Sequence, residues 1–96
     1  MSYPEQYEEF AMVTYEMLHT HKVKSRAYGA NAIGATGFYG IVVRMSDKVQ
    51  RLLTLSALTD DERIGATWME SIEDTLLDLA SYAVIGVVYL RGKWGK

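Results

Sequence analysis

The chain has 96 residues and a mass of 10.8 kDa, which is the size of one domain, residues 1–96. Hydrophobic residues make up 49% and charged residues 23%, so a disordered or fibrous chain is excluded. The absence of cysteine excludes disulfides and thiolate metal sites, and a net charge of −2 gives no field that would attract long nucleic acid or an anionic membrane.

The first residues and the longest apolar run indicate where the protein works. Glu5, Glu8 and Glu9 stand where a signal peptide has a basic start and an apolar run, so we expect no export. The longest charge-free apolar stretch, residues 79–90, is shorter than the roughly 20 residues of a membrane-spanning helix. The sequence therefore predicts a cytoplasmic protein with no membrane partner.

The first predicted helix covers residues 4–27. Ser2 and Glu5 have the spacing of a capping box, and Pro4 suits a first helical turn. A partly apolar stripe recurs at steps of three and four residues: Tyr3, Tyr7, Phe10, Thr14, Met17, Leu18 and His21. Gly29 is a natural stop for this helix.

A glycine-rich stretch follows and is predicted as a loop over residues 28–37. Glycines let a backbone approach a ligand closely, and the helix after the loop offers free N–H groups to a phosphate. No strand precedes the loop, so neither a Rossmann turn nor a Walker loop is indicated. A flexible connector between two helices is the alternative interpretation.

The second predicted helix, residues 37–56, has an apolar seam and a separate polar seam. The polar seam consists of Arg44, Asp47, Lys48 and Arg51, at helical spacing. The connection that follows contains Thr59-Asp60-Asp61-Glu62, which we expect to form one capped turn.

The third predicted helix covers residues 68–91. Thr67 and Glu70 have capping-box spacing, and Gly92 is its expected stop. Its first half is amphipathic, whereas residues 79–90 are apolar all round. Because two other helices cannot surround such a segment, we expect a homo-oligomer whose interface includes it. A helix packed only between the other two is the alternative.

Carboxylates of the third helix face the polar seam of the second if the two helices pack antiparallel. Asp74 and Asp78 are one turn apart, and with Asp47 they provide oxygen ligands of the kind that Mg²⁺ prefers. Arg44, Lys48 and Arg51 suit phosphate oxygens. A salt-bridge network between the helices is the alternative interpretation of the same residues.

Two segments resemble the nucleotide modification associated domain 1 family. They are R-M-S-D-K-V-Q-R at residues 44–51 and S-I-E-D-T-L-L-D-L-A-S-Y at residues 71–82, with Tyr28-Gly29 fitting an upstream element. That family occurs in bacteria and phages and is similar to the all-α nucleoside triphosphate pyrophosphohydrolases of the MazG type. The resemblance implies a MazG-like, oligomeric three-helix bundle whose carboxylates hold Mg²⁺ on a nucleotide.

The sequence departs from the pattern of those enzymes at two metal-ligand positions. Arg44 and Asp47 fall on the two glutamates of their first motif, and Thr75 and Asp78 fall on their second motif. Arg44 and Thr75 therefore replace expected carboxylates, which makes binding without turnover as reasonable as hydrolysis.

These observations lead to a ranked set of functional hypotheses. The first is a nucleotide-binding protein, for example a phage protein that sequesters a nucleotide signal, with phosphate held between the second and third helices, either within one subunit or at a subunit interface. Its expected ligand contacts are Arg44, Lys48, Arg51, Tyr28, Gly29 and Tyr82, and its expected Mg²⁺ ligands are Asp47, Asp74 and Asp78. The second is a Mg²⁺-dependent pyrophosphohydrolase of (deoxy)nucleoside triphosphates. The third is a structural oligomer without a ligand.

Overall fold

The chain folds into three α-helices and no strand over the residues that the structure describes. The structure is a computed structural model, and it describes residues 1–96 except for the side chain of Ala66. The helices are α1 (Pro4–Tyr28), α2 (Asn31–Ser56) and α3 (Gly65–Leu90). The predicted all-α class with three main helices is therefore confirmed. Over the described residues, no helix combines enough length with enough apolar character to cross a bilayer.

Helices α2 and α3 form an antiparallel hairpin, which is the arrangement that brings the polar seam of α2 to the carboxylates of α3. Lys48 pairs with Asp78, and three residues later Arg51 bonds to Thr75, three residues earlier on α3. The apolar centre of the hairpin is Ile41, whose side chain is 1% exposed. Gly86 of α3 lies against it, where an added Cβ would stand 3.7 Å from the Ile41 side chain. A methyl group at this position would therefore make an ordinary van der Waals contact with α2.

The glycine-rich stretch differs from its prediction as a loop over residues 28–37. The connector is limited to Gly29 and Ala30, and α2 already begins at Asn31. Ile33 is buried at 7% exposure, so packing stabilises this first turn despite Gly34. The helix then kinks at Gly37, where φ is 65° and ψ is −156°. Only glycine adopts this backbone conformation without strain.

Replacing Gly37 with alanine is expected to destabilise the fold by about 1–3 kcal/mol. An added Cβ would be strained at this positive φ and would stand 3.1 Å from the Tyr89 hydroxyl. Gly34 provides the control, since it is helical and nothing lies within 4 Å of an added Cβ. Gly34→Ala should raise stability by about 0.5–1 kcal/mol. Urea unfolding followed by circular dichroism measures both changes, and equal effects would contradict a backbone requirement at Gly37.

The helix ends agree with the sequence in part. Gly29 ends α1 with φ 68°, and Gly92 follows α3 with φ 71°, as expected. Beyond α3, the Gly92 N–H bonds to the Tyr89 carbonyl and the Lys93 N–H bonds to the Val88 carbonyl, which is the Schellman pattern.

The two predicted capping boxes at the helix starts do not form. The residues before α1 and α3 are Tyr3 and Ile64, and neither provides a side-chain cap. Helix α3 starts at Gly65, which is earlier than the sequence predicts. The predicted turn in the connection does form, because Glu62 accepts from the Thr59 N–H at 2.9 Å and from its hydroxyl at 2.8 Å. These two hydrogen bonds, the backbone one first, lower the pKa of Glu62.

The isolated chain is extended for its mass. Its radius of gyration is 15.6 Å, against about 12.5 Å for a compact chain of this length. Its accessible surface is 7558 Å², whereas a compact monomer of this mass exposes about 5,500 Å². Among the described residues only two hydrophobic side chains are buried, Ile33 and Ile41, and α1 contributes none. A single chain therefore has a very small core of its own.

Candidate functional site

A groove of about 520 Å³ lies between the C-terminal half of α1, the start and middle of α2, and the middle of α3. We call it the polar groove. Its charged lining residues are Lys24, Arg44 and Asp78, and its aromatic ones are Tyr28, Tyr82 and Trp94, with the imidazole of His21 beside them. It also contains hydroxyl groups, those of Ser25 and Ser81 among them. Its volume is in the range of small-ligand sites.

Each helix carries a pair of functional side chains, one turn apart, in the groove or in contact with its lining. Residues four apart lie on one helix face, so three helices meeting at one place bring three such pairs together. The pairs are Lys24 and Tyr28 on α1, Arg44 and Lys48 on α2, and Asp78 and Tyr82 on α3. Lys48 reaches the site through its ion pair with Asp78.

Asp78 is held between two lysines. Its Oδ1 lies 3.4 Å from Lys24 Nζ, and its Oδ2 lies 3.2 Å from Lys48 Nζ. The Lys24 side chain is 57% exposed, so this pair adds little stability on its own. The carboxylate instead neutralises one of the two ammonium charges.

Arg44 differs from the two lysines because no protein carboxylate neutralises it. Among the described residues, no Asp or Glu oxygen lies within 4 Å of its guanidinium, and no hydrogen bond joins it to another side chain. Its side chain is half-buried and lines the groove. A guanidinium with free donors at a groove is a ready site for an anion with two oxygens in the plane of the fork, such as a phosphate.

The structure brings together five of the nine predicted site residues in the groove lining. They are Tyr28, Gly29, Arg44, Asp78 and Tyr82. Lys48, a sixth, contacts Asp78.

The other three predicted residues lie outside the groove. Arg51 donates from Nε to the Thr75 hydroxyl at 3.1 Å, and this hydroxyl in turn donates to the Ser71 carbonyl at 2.6 Å. Thr75 is buried, so Arg51 serves the helix contact. Asp47 and Asp74 are exposed and do not line the groove.

The predicted magnesium set of Asp47, Asp74 and Asp78 is therefore not assembled at one point. In the part of the chain that the structure describes, no three His, Asp or Glu side chains gather closely enough to hold a metal ion. The residues present do not fit a metal site made by three protein carboxylates. Asp78 is the one carboxylate among the lining residues of the groove.

Nine of the lining residues were not among the predicted contacts, and they include three polar side chains and a tryptophan that contribute to the site. Lys24, His21 and Ser25 come from α1, and Trp94 comes from the tail beyond α3. Lys24 belongs to a basic cluster just before the glycine-rich stretch. This cluster is the sequence signal from which its place at an anion site could have been predicted. No sequence pattern places Trp94 beside α1, because the contact spans more than 70 residues of chain.

A second groove of about 510 Å³ lies on the other side of the α2–α3 hairpin. We call it the apolar groove, since nearly all of its lining is hydrophobic. The lining from α2 includes Phe38, Val42, Met45 and Val49, and the lining from α3 includes Leu79, Ala83, Val87 and Leu90. It occupies the segment 79–90 that the sequence marks as apolar all round.

Compared with known proteins, the chain matches no family model, no curated protein and no solved structure. The family resemblance of residues 44–51 and 71–82 therefore stays a prediction. Function has to be argued from the geometry of the two grooves.

Proposed function

We propose that the protein binds a nucleotide in the polar groove, with a phosphate group on Arg44. The observation that carries this proposal is the half-buried Arg44 side chain at the groove, whose guanidinium no protein carboxylate neutralises among the described residues. Such a group is stabilised most by an anion that offers paired oxygens. A nucleotide supplies these in its phosphates.

The charge balance of the site favours an anion of more than one negative charge. Two lysines, Lys24 and Lys48, contact the single carboxylate of Asp78, and Arg44 lines the same groove without a carboxylate partner among the described residues. Because the whole chain carries a net charge of −2, this local excess is a feature of the site and not of the surface in general. A phosphate bound to Arg44 would therefore lie in the same part of the fold as Lys24 and Lys48.

Aromatic side chains at the groove support a nucleotide over a simple phosphate. Tyr28 and Tyr82 lie one turn beyond Lys24 and Asp78 on their helices, and both line the groove. Aromatic rings stack on bases with little dependence on sequence, and tyrosine also offers a hydroxyl for a sugar or a base edge. The hydroxyl of Ser81 is a further polar group for such contacts.

Binding without turnover is favoured over hydrolysis. A Mg²⁺-dependent hydrolase needs groups that hold the metal and position a water molecule. The groove offers one carboxylate, and both its oxygens already contact lysines. We therefore favour a protein that sequesters a nucleotide signal. The family resemblance suggests that such a protein would come from a phage. A pyrophosphohydrolase is the alternative, in which Asp78 and the substrate phosphates would hold Mg²⁺.

A nucleotide panel tests this proposal. The protein is incubated with ATP, AMP, 3′,5′-cyclic AMP and inorganic phosphate, each with and without Mg²⁺, and its Tm is measured. Nucleotides that bind raise the Tm by mass action, and inorganic phosphate alone should do so less because it lacks the base. Recovery of the intact nucleotide after heating supports sequestration, whereas AMP plus pyrophosphate from ATP supports the enzyme. No shift with any of them would leave the structural oligomer.

The charge of Asp78 provides a prediction about Mg²⁺. Without Mg²⁺, Asp78→Asn is expected to tighten ATP binding by about three- to tenfold, because it removes the one negative charge beside the phosphates and frees two lysines. Isothermal titration calorimetry measures the Kd.

Asp74→Asn is the matched control, since Asp74 lies one turn earlier on α3 and is exposed outside the groove. It should leave the Kd unchanged. If Asp78→Asn weakens ATP binding only when Mg²⁺ is present, the carboxylate is a metal ligand and the enzyme hypothesis gains.

We also propose that the protein is a homo-oligomer in which a second copy covers the apolar groove. The isolated chain exposes about 2,000 Å² more than a compact monomer of its mass. An obligate homodimer buries roughly 1,000–2,500 Å² on each partner, so one such interface accounts for the excess. The groove is continuous with the exposed Leu90 at the end of α3. A second copy therefore has both the area and the apolar character that the surface requires.

A further inference from the structure

The position of α1 decides whether Lys24 reaches the polar groove, yet α1 is weakly attached to the rest of the chain. None of its residues is buried. Among the described residues, its one side-chain hydrogen bond to another helix is that of Lys24 to Asp78, at 3.4 Å. An ion pair this exposed contributes too little to fix the direction of a 25-residue helix.

The C-terminal tail contacts the junction between α1 and α2. The reversal at Gly92 turns the chain back along the bundle and brings Trp94 to the two-residue connector. Its indole Nε1–H donates to the Ala30 carbonyl at 2.9 Å, across 64 residues of sequence. Gly95 lies against the same residue, since a Cβ added to it would stand 3.3 Å from Ala30 Cβ.

The same tryptophan also contacts α1. Its ring centroid lies 5.9 Å from that of His21, at an interplanar angle of 48°. His21 is less than one turn before Lys24, and both line the polar groove with Trp94. Trp94 thus joins the first residue before α2 to the part of α1 that carries the cation.

We propose that the C-terminal tail is a clasp, in which Trp94 fixes α1 against the α2–α3 hairpin and so holds Lys24 at the polar groove. This inference rests on the proposed nucleotide function for its effect on binding, but the clasp itself is a property of the fold. Trp94 is a positioning residue that acts through Lys24.

A double-substitution cycle tests the clasp with ATP as the probe. Trp94→Ala and Lys24→Ala are each expected to weaken ATP binding about tenfold, the size of one charge-assisted contact. The double variant should be no weaker than Lys24→Ala alone, because the tail acts through that lysine. Additive losses would overturn this dependence. Trp94→Phe keeps the ring beside His21 and lacks the N–H donor, so its affinity should lie between those of the wild type and Trp94→Ala.

Trp68 provides a matched control at the opposite end of the hairpin. Its Nε1–H donates to the Leu55 carbonyl, also at 2.9 Å, and it does not line the polar groove. Trp68→Ala should leave ATP binding unchanged. Circular dichroism first establishes that each variant keeps its helix content.

Amide hydrogen exchange separates the clasp from the nucleotide proposal. In Trp94→Ala, the amides of residues 20–30 should exchange several-fold faster than in the wild type, while those of residues 41–52 should not change. If the wild type binds ATP and Trp94→Ala binds it equally well, the clasp is overturned and nucleotide binding stands. If the wild type binds no ATP, nucleotide binding falls and the exchange rates decide: faster exchange supports the clasp, and unchanged exchange overturns it.

Discussion

Arg44→Ala is expected to weaken ATP binding by about 10- to 150-fold, since a hydrogen-bonded contact to a charged group contributes about 1.5–3 kcal/mol. The loss should exceed the effect on folding, because no protein group depends on the guanidinium among the described residues. The ATP affinity of Arg44→Lys should lie between those of the wild type and Arg44→Ala, since an ammonium keeps the charge and loses the planar fork. Calorimetric titration with ATP gives the Kd, and urea unfolding gives the stability.

Arg51→Ala is the matched control for this prediction. Arg51 is on the same polar seam of α2, two turns later, but it is bonded to Thr75 outside the groove. Its loss should leave the Kd unchanged and cost about 1 kcal/mol of stability, the contribution of one hydrogen bond. Equal losses of affinity in both variants would mean that the whole seam acts through general charge. Equal losses of stability without any effect on affinity would make the seam structural.

The hairpin at the centre of the fold could be predicted from sequence because its signals are local. The basic residues of the polar seam, Arg44, Lys48 and Arg51, recur at helical spacing. A short connection makes two neighbouring helices antiparallel. This register brings Lys48 to Asp78, as expected. It also brings Arg51 to Thr75, so the polar seam divides into a groove end and a packing end. Spacing alone does not distinguish these two ends.

The part of the site that α1 and the C-terminal tail contribute could not be predicted from the same signals. Lys24 and Trp94 reach the groove through the packing of α1 and the tail, which depends on contacts distant in sequence. The magnesium prediction met the same limit. Asp74 and Asp78 are one turn apart, but only Asp78 faces α1 and the groove, because successive turns of α3 meet different neighbours.

The glycine-rich stretch shows how tertiary packing overrides local preference. Glycines favour a loop over residues 28–37, yet the burial of Ile33 and the helix-forming alanines around it produce a helical turn. The chain breaks instead at Gly37, where α2 has to bend. The surrounding packing therefore decides at which glycine the helix is interrupted.

Val87→Glu is expected to dissociate the oligomer into monomers of 10.8 kDa. Val87 lines the apolar groove and is 47% exposed in the single chain, so the isolated fold has room for a longer polar side chain. Covered by a second copy, the same carboxylate would be desolvated without a partner, which costs several kcal/mol for each ion. That cost is large enough to shift a micromolar assembly to monomer, and light scattering after size exclusion measures the mass.

Val23→Glu is the matched control, since it is the same change at a residue that is 53% exposed and lines neither groove. Val23 lies on the side of α1 opposite its partly apolar stripe, so its variant should keep the wild-type mass. A wild type of 10.8 kDa would contradict the oligomer directly. If Val87→Glu kept the mass of a wild-type oligomer, the second copy would sit elsewhere. The monomeric variant also tests where the ligand lies: a polar groove built within one chain keeps its ATP affinity when the copies separate, whereas a site completed by the partner loses it.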